Sequence, residues 1–155
     1  MAANVCDINV NTVALVAATA KTAMGILAPS NIALKVSEVS ISFDGATSSN
    51  APAIAELCFN TFATNAPGTN STSVTPTKRD QGRDETVQTT AAKNWTAEPT
   101  VITVYRTIDV PQFDGLYHVL IPALSPYIIP GAKGFSVRLT SPNNVNFSGH
   151  ITFEE

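Results

Sequence analysis

Reactive side chains are scarce in this chain. Its 155 residues include two cysteines, two histidines and one tryptophan, and only 14% carry a charge, against the ~25% usual in soluble domains. Two cysteines cannot build a disulfide framework. The thin charge, net −3, sets up no broad positive field for nucleic-acid phosphates. No long apolar run is present either. Between Thr12 and Pro29, Lys21 and several threonines interrupt the apolar residues, which excludes a membrane-spanning helix there. Met1-Ala2-Ala3-Asn4 lacks the basic start of an export signal, and Asp7, Asn9 and Asn11 break the apolar segment that would follow. A cytoplasmic folding environment is therefore expected. Cys6 and Cys58 could pair, but without a secretory signal free buried thiols are the expectation. The sequons at Asn70, Asn94 and Asn146 carry little weight for the same reason.

What remains is Thr, Ser, Asn, Ala and Val, with 44% apolar residues overall. That is enough to bury the core of one domain of this length. Such a composition offers shape, backbone edges and hydroxyls, and few groups able to move protons. It points to a protein that binds or builds. A weakly charged surface is also poorly protected against association.

The apolar pattern has the period of strands. Val145, Phe147, Gly149, Ile151 and Phe153 alternate with polar residues, and Gly149 on the apolar phase signals a bulge or a close backbone approach. Phe135, Val137 and Leu139 alternate just upstream. The four residues Ser141-Pro142-Asn143-Asn144 between the two runs predict a hairpin. Strands are also predicted over Val101–Val110, Tyr117–Ile121 and Tyr127–Ile129, and along Ala53, Ala55, Leu57 and Phe59. Ile32, Leu34 and Val36 keep one phase while Val39, Ile41 and Phe43 keep the other. The slip at Ser37-Glu38 predicts a bulge that lets both sets face the core. Near the N-terminus, two short strands are expected around Val13–Val16 and Ala23–Leu27, with a turn at Thr19-Ala20-Lys21.

The segment from Thr64 to Pro99 breaks the pattern. It is rich in Thr, Asn and Pro, holds Lys78, Arg79, Arg83 and Lys93, and has no strong apolar period. It reads as a long polar loop or insertion, a kind of segment that is often functional. Val74-Thr75-Pro76 and Thr86-Val87-Gln88-Thr89 are candidates for short edge strands within it. Eight to ten strands, frequent turns and no amphipathic helix predict one all-β domain over residues 1–155, an antiparallel β-sandwich of possible jelly-roll type.

No catalytic constellation is apparent. His118 and His150 each fall in a predicted strand without a partner at ligand spacing, so each reads as a separate surface or hydrogen-bonded histidine. Neither cysteine sits in a nucleophile context. Asp84-Glu85 and Glu154-Glu155 are adjacent pairs without the separation that holds a sugar between acid and base. Asp44-Gly45 resembles the start of a calcium loop, but Ala46-Thr47-Ser48-Ser49 adds no carboxylate, and a β-turn explains it. No catalytic residue, cofactor or metal ligand is assigned, and an enzyme is not expected.

Contact residues are a better expectation. Lys78, Arg79 and Arg83 interleave with Asp80, Asp84 and Glu85, the pattern of a salt-bridged surface or a protein-contact rim. Trp95 is either a loop anchor on the sheet or an interface residue. Arg79, Arg83, Trp95, Tyr105 and Phe113 are the candidate subunit or partner contacts.

The order of landmarks carries a resemblance. Ala20-Lys21-Thr22 precedes Leu27-Ala28-Pro29-Ser30-Asn31, then Lys35-Val36-Ser37-Glu38 and Ile41-Ser42-Phe43-Asp44-Gly45. Glu56-Leu57-Cys58, Ser73-Val74-Thr75-Pro76-Thr77-Lys78, Thr96-Ala97-Glu98-Pro99-Thr100 and Ile151-Thr152-Phe153-Glu154-Glu155 follow. From about Ala20 to Glu155 this series resembles the head decoration (auxiliary capsid, or cement) proteins of tailed bacteriophages. The resemblance implies a β-sandwich on the outside of a capsid, bound to the major capsid protein as a homotrimer that braces the shell, with no nucleic-acid or membrane partner. It brings no catalytic residues. Asn65–Gly68 and the basic loop after Thr77 depart from it. A carbohydrate-binding module, with Trp95, Tyr117 and Tyr127 stacking from one face, or a tail or baseplate component are the competing expectations.

Overall fold

A computed structural model describes residues 4–45, 51–61, 67–113 and 115–155. Ala46–Ser49, Asn65 and Asp114 therefore lie outside the described residues. Twelve strands and no helix make up the described chain: β1 (Val5–Leu15), β2 (Ala20–Leu27), β3 (Leu34–Phe43), β4 (Ala53–Thr61), β5 (Thr72–Val74), β6 (Thr77–Lys78), β7 (Thr90–Lys93), β8 (Val101–Val110), β9 (Leu116–Leu120), β10 (Tyr127–Ile129), β11 (Gly134–Thr140) and β12 (Val145–Glu154).

They form two antiparallel sheets packed face to face. One runs β10-β3-β12-β1-β6, with β9 also pairing β3; the other runs β5-β7-β2-β11-β4-β8. The partners nest along the chain: β1 with β12, β2 with β11, β3 with β9 and β10, β4 with β8. A long hairpin folded across two sheets gives this order, which is the jelly roll. The inner faces meet in one core of fully buried Phe135, Phe147, Phe153, Ile8, Ile26, Leu57 and Ile151 with their neighbours. Alternation along β12 places Phe147, Ile151 and Phe153 inward and leaves the polar phase outside.

The bulge expected in β3 is present. Thr152 pairs with Glu38 and Phe153 with Val36, so Ser37 is the extra residue. It shifts Glu38 onto the outer face while Val36 and Val39 both stay buried. Gly149 is a close-approach position: a Cβ there would lie 2.3 Å from the Ser40 carbonyl oxygen.

Several expectations need correction. β11 and β12 do not pair as a hairpin. β11 lies between β2 and β4 in one sheet and β12 between β1 and β3 in the other, so Ser141–Asn144 turns a corner between sheets. Both runs are central strands whose partners come from distant parts of the chain, and a short connection cannot reveal that. The first strand starts at Val5, well before Val13, and bends at a bulge between Val10 and Val13 where Thr12 takes φ 55°. The turn into β2 comes earlier than expected, with Ala18 at φ 57°. In the central segment the strand expected at Val74–Pro76 lies instead at Thr72–Val74, and Thr86–Thr89 is not a strand; β7 begins at Thr90.

That segment extends both sheets on the same side of the sandwich. β7 adds to β2, β5 to β7, and β6 to β1. The opposite side ends in β8 on one sheet and β9 and β10 on the other.

Candidate functional site

The outer face of the β1 sheet carries the densest polar cluster among the described residues. Registration builds it. Asp7, Thr152 and Glu38 pair across β1, β12 and β3 in one row, and Asn9, His150, Ser40 and His118 occupy the next row out to β9. Paired residues in an antiparallel sheet point to the same face, so both rows project outward together.

Glu38 is the hub. Its Oε1 lies 2.7 Å from His118 Nε2 and 2.9 Å from His150 Nε2. Its Oε2 lies 3.3 Å from both Arg79 Nη2 and Thr152 Oγ1. The two imidazole rings sit with centroids 5.9 Å apart. His150 is oriented from behind, since its Nδ1 is 2.6 Å from Ser40 Oγ, which also accepts the His150 backbone N–H at 3.1 Å. Arg79 reaches over from just beyond β6 and donates to both oxygens of Asp7, at 2.7 and 2.9 Å. Thr152 accepts from Arg79 at 2.9 Å and donates to Asp7 at 2.6 Å.

Electrostatics follow from these contacts. Hydrogen bonding from His150 is the largest influence on Glu38; burial opposes it, and His118 and Arg79 add to it, leaving the carboxyl at about 2. Burial pushes the Asp7 carboxyl up, but hydrogen bonds from Arg79 and Thr152 outweigh it and hold the group below its usual value. Glu38 is thus a fixed anion at neutral pH, presenting one oxygen to two imidazoles. The ligand-type atoms of Glu38, His118 and His150 lie within 4.8 Å of one another. Read along the sequence the histidines are unrelated; the fold makes them neighbours across strands 80 and 112 residues from Glu38. Each sits on the polar phase of its strand, which is the one local signal they share.

The candidate contact residues scatter. Arg79 belongs to the cluster just described, and Arg83 pairs with Glu85 in its own loop at 2.8 Å. Trp95 is 3% exposed. It lies on the outer side of the second sheet over Gly25, and its indole N–H donates to the Ala92 carbonyl at 2.9 Å. It is a loop anchor, and as placed offers almost no surface to a partner. Tyr105 and Phe113 are exposed on the opposite side. Tyr105 is the extra residue of a bulge in β8, between the Leu57 and Cys58 pairings. Its ring stacks on Tyr127 of β10 at 4.6 Å, which brings the outermost strands of the two sheets side by side.

Comparison with family models, with curated proteins and with solved structures finds no match in any of the three. Function must be argued from the geometry. A cleft of about 260 Å³ lined by Leu27, Pro67, Gly68, Thr90 and neighbours holds no titratable side chain, and it is smaller than ordinary ligand pockets. The three rings a sugar platform would need do not share a face. Trp95 is covered, while Tyr117 and Tyr127 pair with the core residues Ile41 and Val36 and so turn inward. Cys6 and Cys58 are free and buried, with burial pushing their thiols up to about 11 and about 12.

Apolar residues instead gather on the outermost strands. Leu116 and Leu120 of β9 are 71% and 69% exposed, and Leu124, Ile128, Val104 and Tyr105 are exposed nearby in sequence or on the adjoining strands. β8 has a partner only in β4, and β9 and β10 only in β3, among the described residues. Their outer backbone edges are open to another chain.

Proposed function

We propose that this protein is a non-catalytic assembly module that binds the exterior of a bacteriophage capsid as a homotrimer and braces the shell. The observation that carries the proposal is the paired open edge formed by β8 and by β9 with β10, with Leu116, Leu120, Ile128, Val104 and Tyr105 exposed along it. Apolar side chains on unpaired strands are a liability for a free monomer, and are used where a second chain covers them. Tyr105 and Phe113, expected at contacts from the sequence, lie on or next to this edge. The low charge of the chain and the resemblance of its landmark order to that of head decoration proteins support the same role. A rigid jelly roll suits bracing, since it presents loops and edges on a frame that cannot easily deform.

The test combines mass and binding. Light scattering at micromolar concentration is expected to report a trimer, and Leu116→Asp with Leu120→Asp to convert it to a monomer. Sedimentation with expanded phage heads is expected to carry the wild-type chain into the pellet. A monomeric wild-type protein that does not bind heads would overturn the proposal.

A further inference from the structure

The proposed assembly role does not by itself require the cluster of Glu38, His118 and His150, and its arrangement exceeds what a solvated polar face requires. We infer that these three residues form a binding site for a borderline divalent transition-metal ion, of which Zn²⁺ is the best fit, clipping β9, β3 and β12 together on the outside of the sheet.

Four features argue for it. The donor set is right: two imidazoles and one carboxylate suit Zn²⁺ and its first-row neighbours, whereas Mg²⁺ and Ca²⁺ prefer all-oxygen sites. The aim is right, because both Nε2 atoms converge on the same oxygen, Oε1, at 2.7 and 2.9 Å. An ion with bonds of about 2.0–2.1 Å separates tetrahedral ligand atoms by about 3.4 Å. The three donors, all within 4.8 Å of one another, thus need only small ring and carboxylate movements to receive it. His118 is on an outermost strand with its side chain half exposed, so its ring has room to move.

The supporting shell is also present. Ser40 Oγ stands 2.6 Å from His150 Nδ1, so that with Nε2 on a metal the Nδ1–H has an acceptor in place, as metal-bound histidines require. Thr152 and Arg79 occupy the neighbourhood of Oε2, leaving Oε1 to the imidazoles. Finally, the charge is suitable. Arg79 would repel a cation, but its guanidinium is matched by the bidentate Asp7 carboxylate, and Glu38 supplies the remaining negative charge. Three protein ligands leave a fourth position open on the solvent side for water.

Zinc binding to the full chain, stripped with a chelator and titrated by calorimetry, tests the site. One Zn²⁺ per chain is expected, with a rise in melting temperature that Mg²⁺ and Ca²⁺ at equal concentration do not give. Co²⁺ is expected to show the visible absorption of a four- or five-coordinate nitrogen–oxygen site without thiolate charge-transfer bands. His118→Gln and His150→Gln should each weaken Zn²⁺ binding by more than about tenfold, and Ser40→Ala by less than either. His118 is exposed, so H118Q is expected to keep the wild-type circular dichroism spectrum. The Co²⁺ spectrum needs no variant and decides the matter if a substitution fails to fold. Absence of stoichiometric binding at submillimolar Zn²⁺ would overturn the assignment. So would Zn²⁺ affinity unchanged in H118Q and H150Q, or thiolate bands in the Co²⁺ form.

Discussion

Raising the pH should destabilise this protein through its two cysteines. Both thiols are fully buried, Cys6 on the inner side of β1 and Cys58 beneath the outer side of β4. Burial is the main cause of the upward shift in each. Carboxylates of Glu155 and Asp7 add to it for Cys6, and Glu56 for Cys58, leaving the groups at about 11 and about 12 against an ordinary 9.0. Between pH 9 and 11 the unfolded chain releases thiol protons that the folded chain keeps. The unfolded state then binds fewer protons, so stability falls as pH rises. The slope is about 1.4 kcal/mol per pH unit for each thiol. By pH 10.5 the pair removes about 4 kcal/mol, a large share of the 5–15 kcal/mol that holds a typical domain. Burial also raises the Tyr105 hydroxyl, which adds its own slope, so the comparison needed is between the wild type and a Cys6→Ala, Cys58→Ala double variant. Urea unfolding at half-unit steps from pH 7 to 10.5 measures both. The variant should start less stable, because two small cavities are left, and then lose stability more slowly; the curves converge above pH 9. Parallel curves would refute the assignment of the alkaline loss to the thiols. Thiolate absorbance rising near pH 9 in the native protein would refute it equally.

Other outcomes follow from single positions. Gly149→Ala places a methyl group 2.3 Å from the Ser40 carbonyl, so overpacking of about 2–3 kcal/mol is expected by denaturant titration; a neutral substitution would show that β3 and β12 separate easily. Trp95→Ala removes the indole lying over Gly25 and should cost about 3–5 kcal/mol; the wild-type tryptophan emission should be that of a buried indole, shifting to the red on unfolding. Arg79→Ala breaks an exposed pair with Asp7, and about 1 kcal/mol is expected. Its clearer readout is faster proteolysis after β6, since Arg79 is among the groups tying that segment to β1.

Much of this fold is legible in the alternation of apolar residues, because a half-buried strand must repeat every two residues. The β3 bulge is legible for the same reason: Val36 and Val39 are out of phase, and only an extra residue keeps both inside. β1 carries the same signal in Cys6, Ile8 and Val10 set against Asp7, Asn9 and Asn11. Those polar residues mark the outer face of a strand. What alternation cannot encode is which strands meet. β11 and β12 are adjacent in sequence and belong to different sheets, and the pairing of β12 with β1 depends on contacts across nearly the whole chain. The Glu38, His118 and His150 cluster was hidden for that reason, since it exists only once β9 and β12 flank β3 in register. For Trp95 the sequence leaves anchor and interface both open, whereas the fold buries its indole over Gly25, which has no side chain to exclude it.

The outer face of the β1 sheet changes character from one side to the other. Next to β6 it is charged and cross-linked, with Arg79 gripping Asp7. In the middle Glu38 collects two histidines. At β9 it ends in exposed leucines: Leu120 pairs with Glu38, and Leu116 and Leu120 flank His118 on the same side of the strand. Adjacent strands are only ~4.8 Å apart, so a chain docking on those leucines would also lower the dielectric around His118. A dry rim strengthens any charge–charge contact within it. If the chain assembles through the β9 edge as proposed, that contact and the cluster are physically coupled. Removing the leucines and removing the histidines should then be non-additive for the stability of the proposed trimer, measured by dilution with Zn²⁺ present. Independent, additive effects would place the contact surface away from β9.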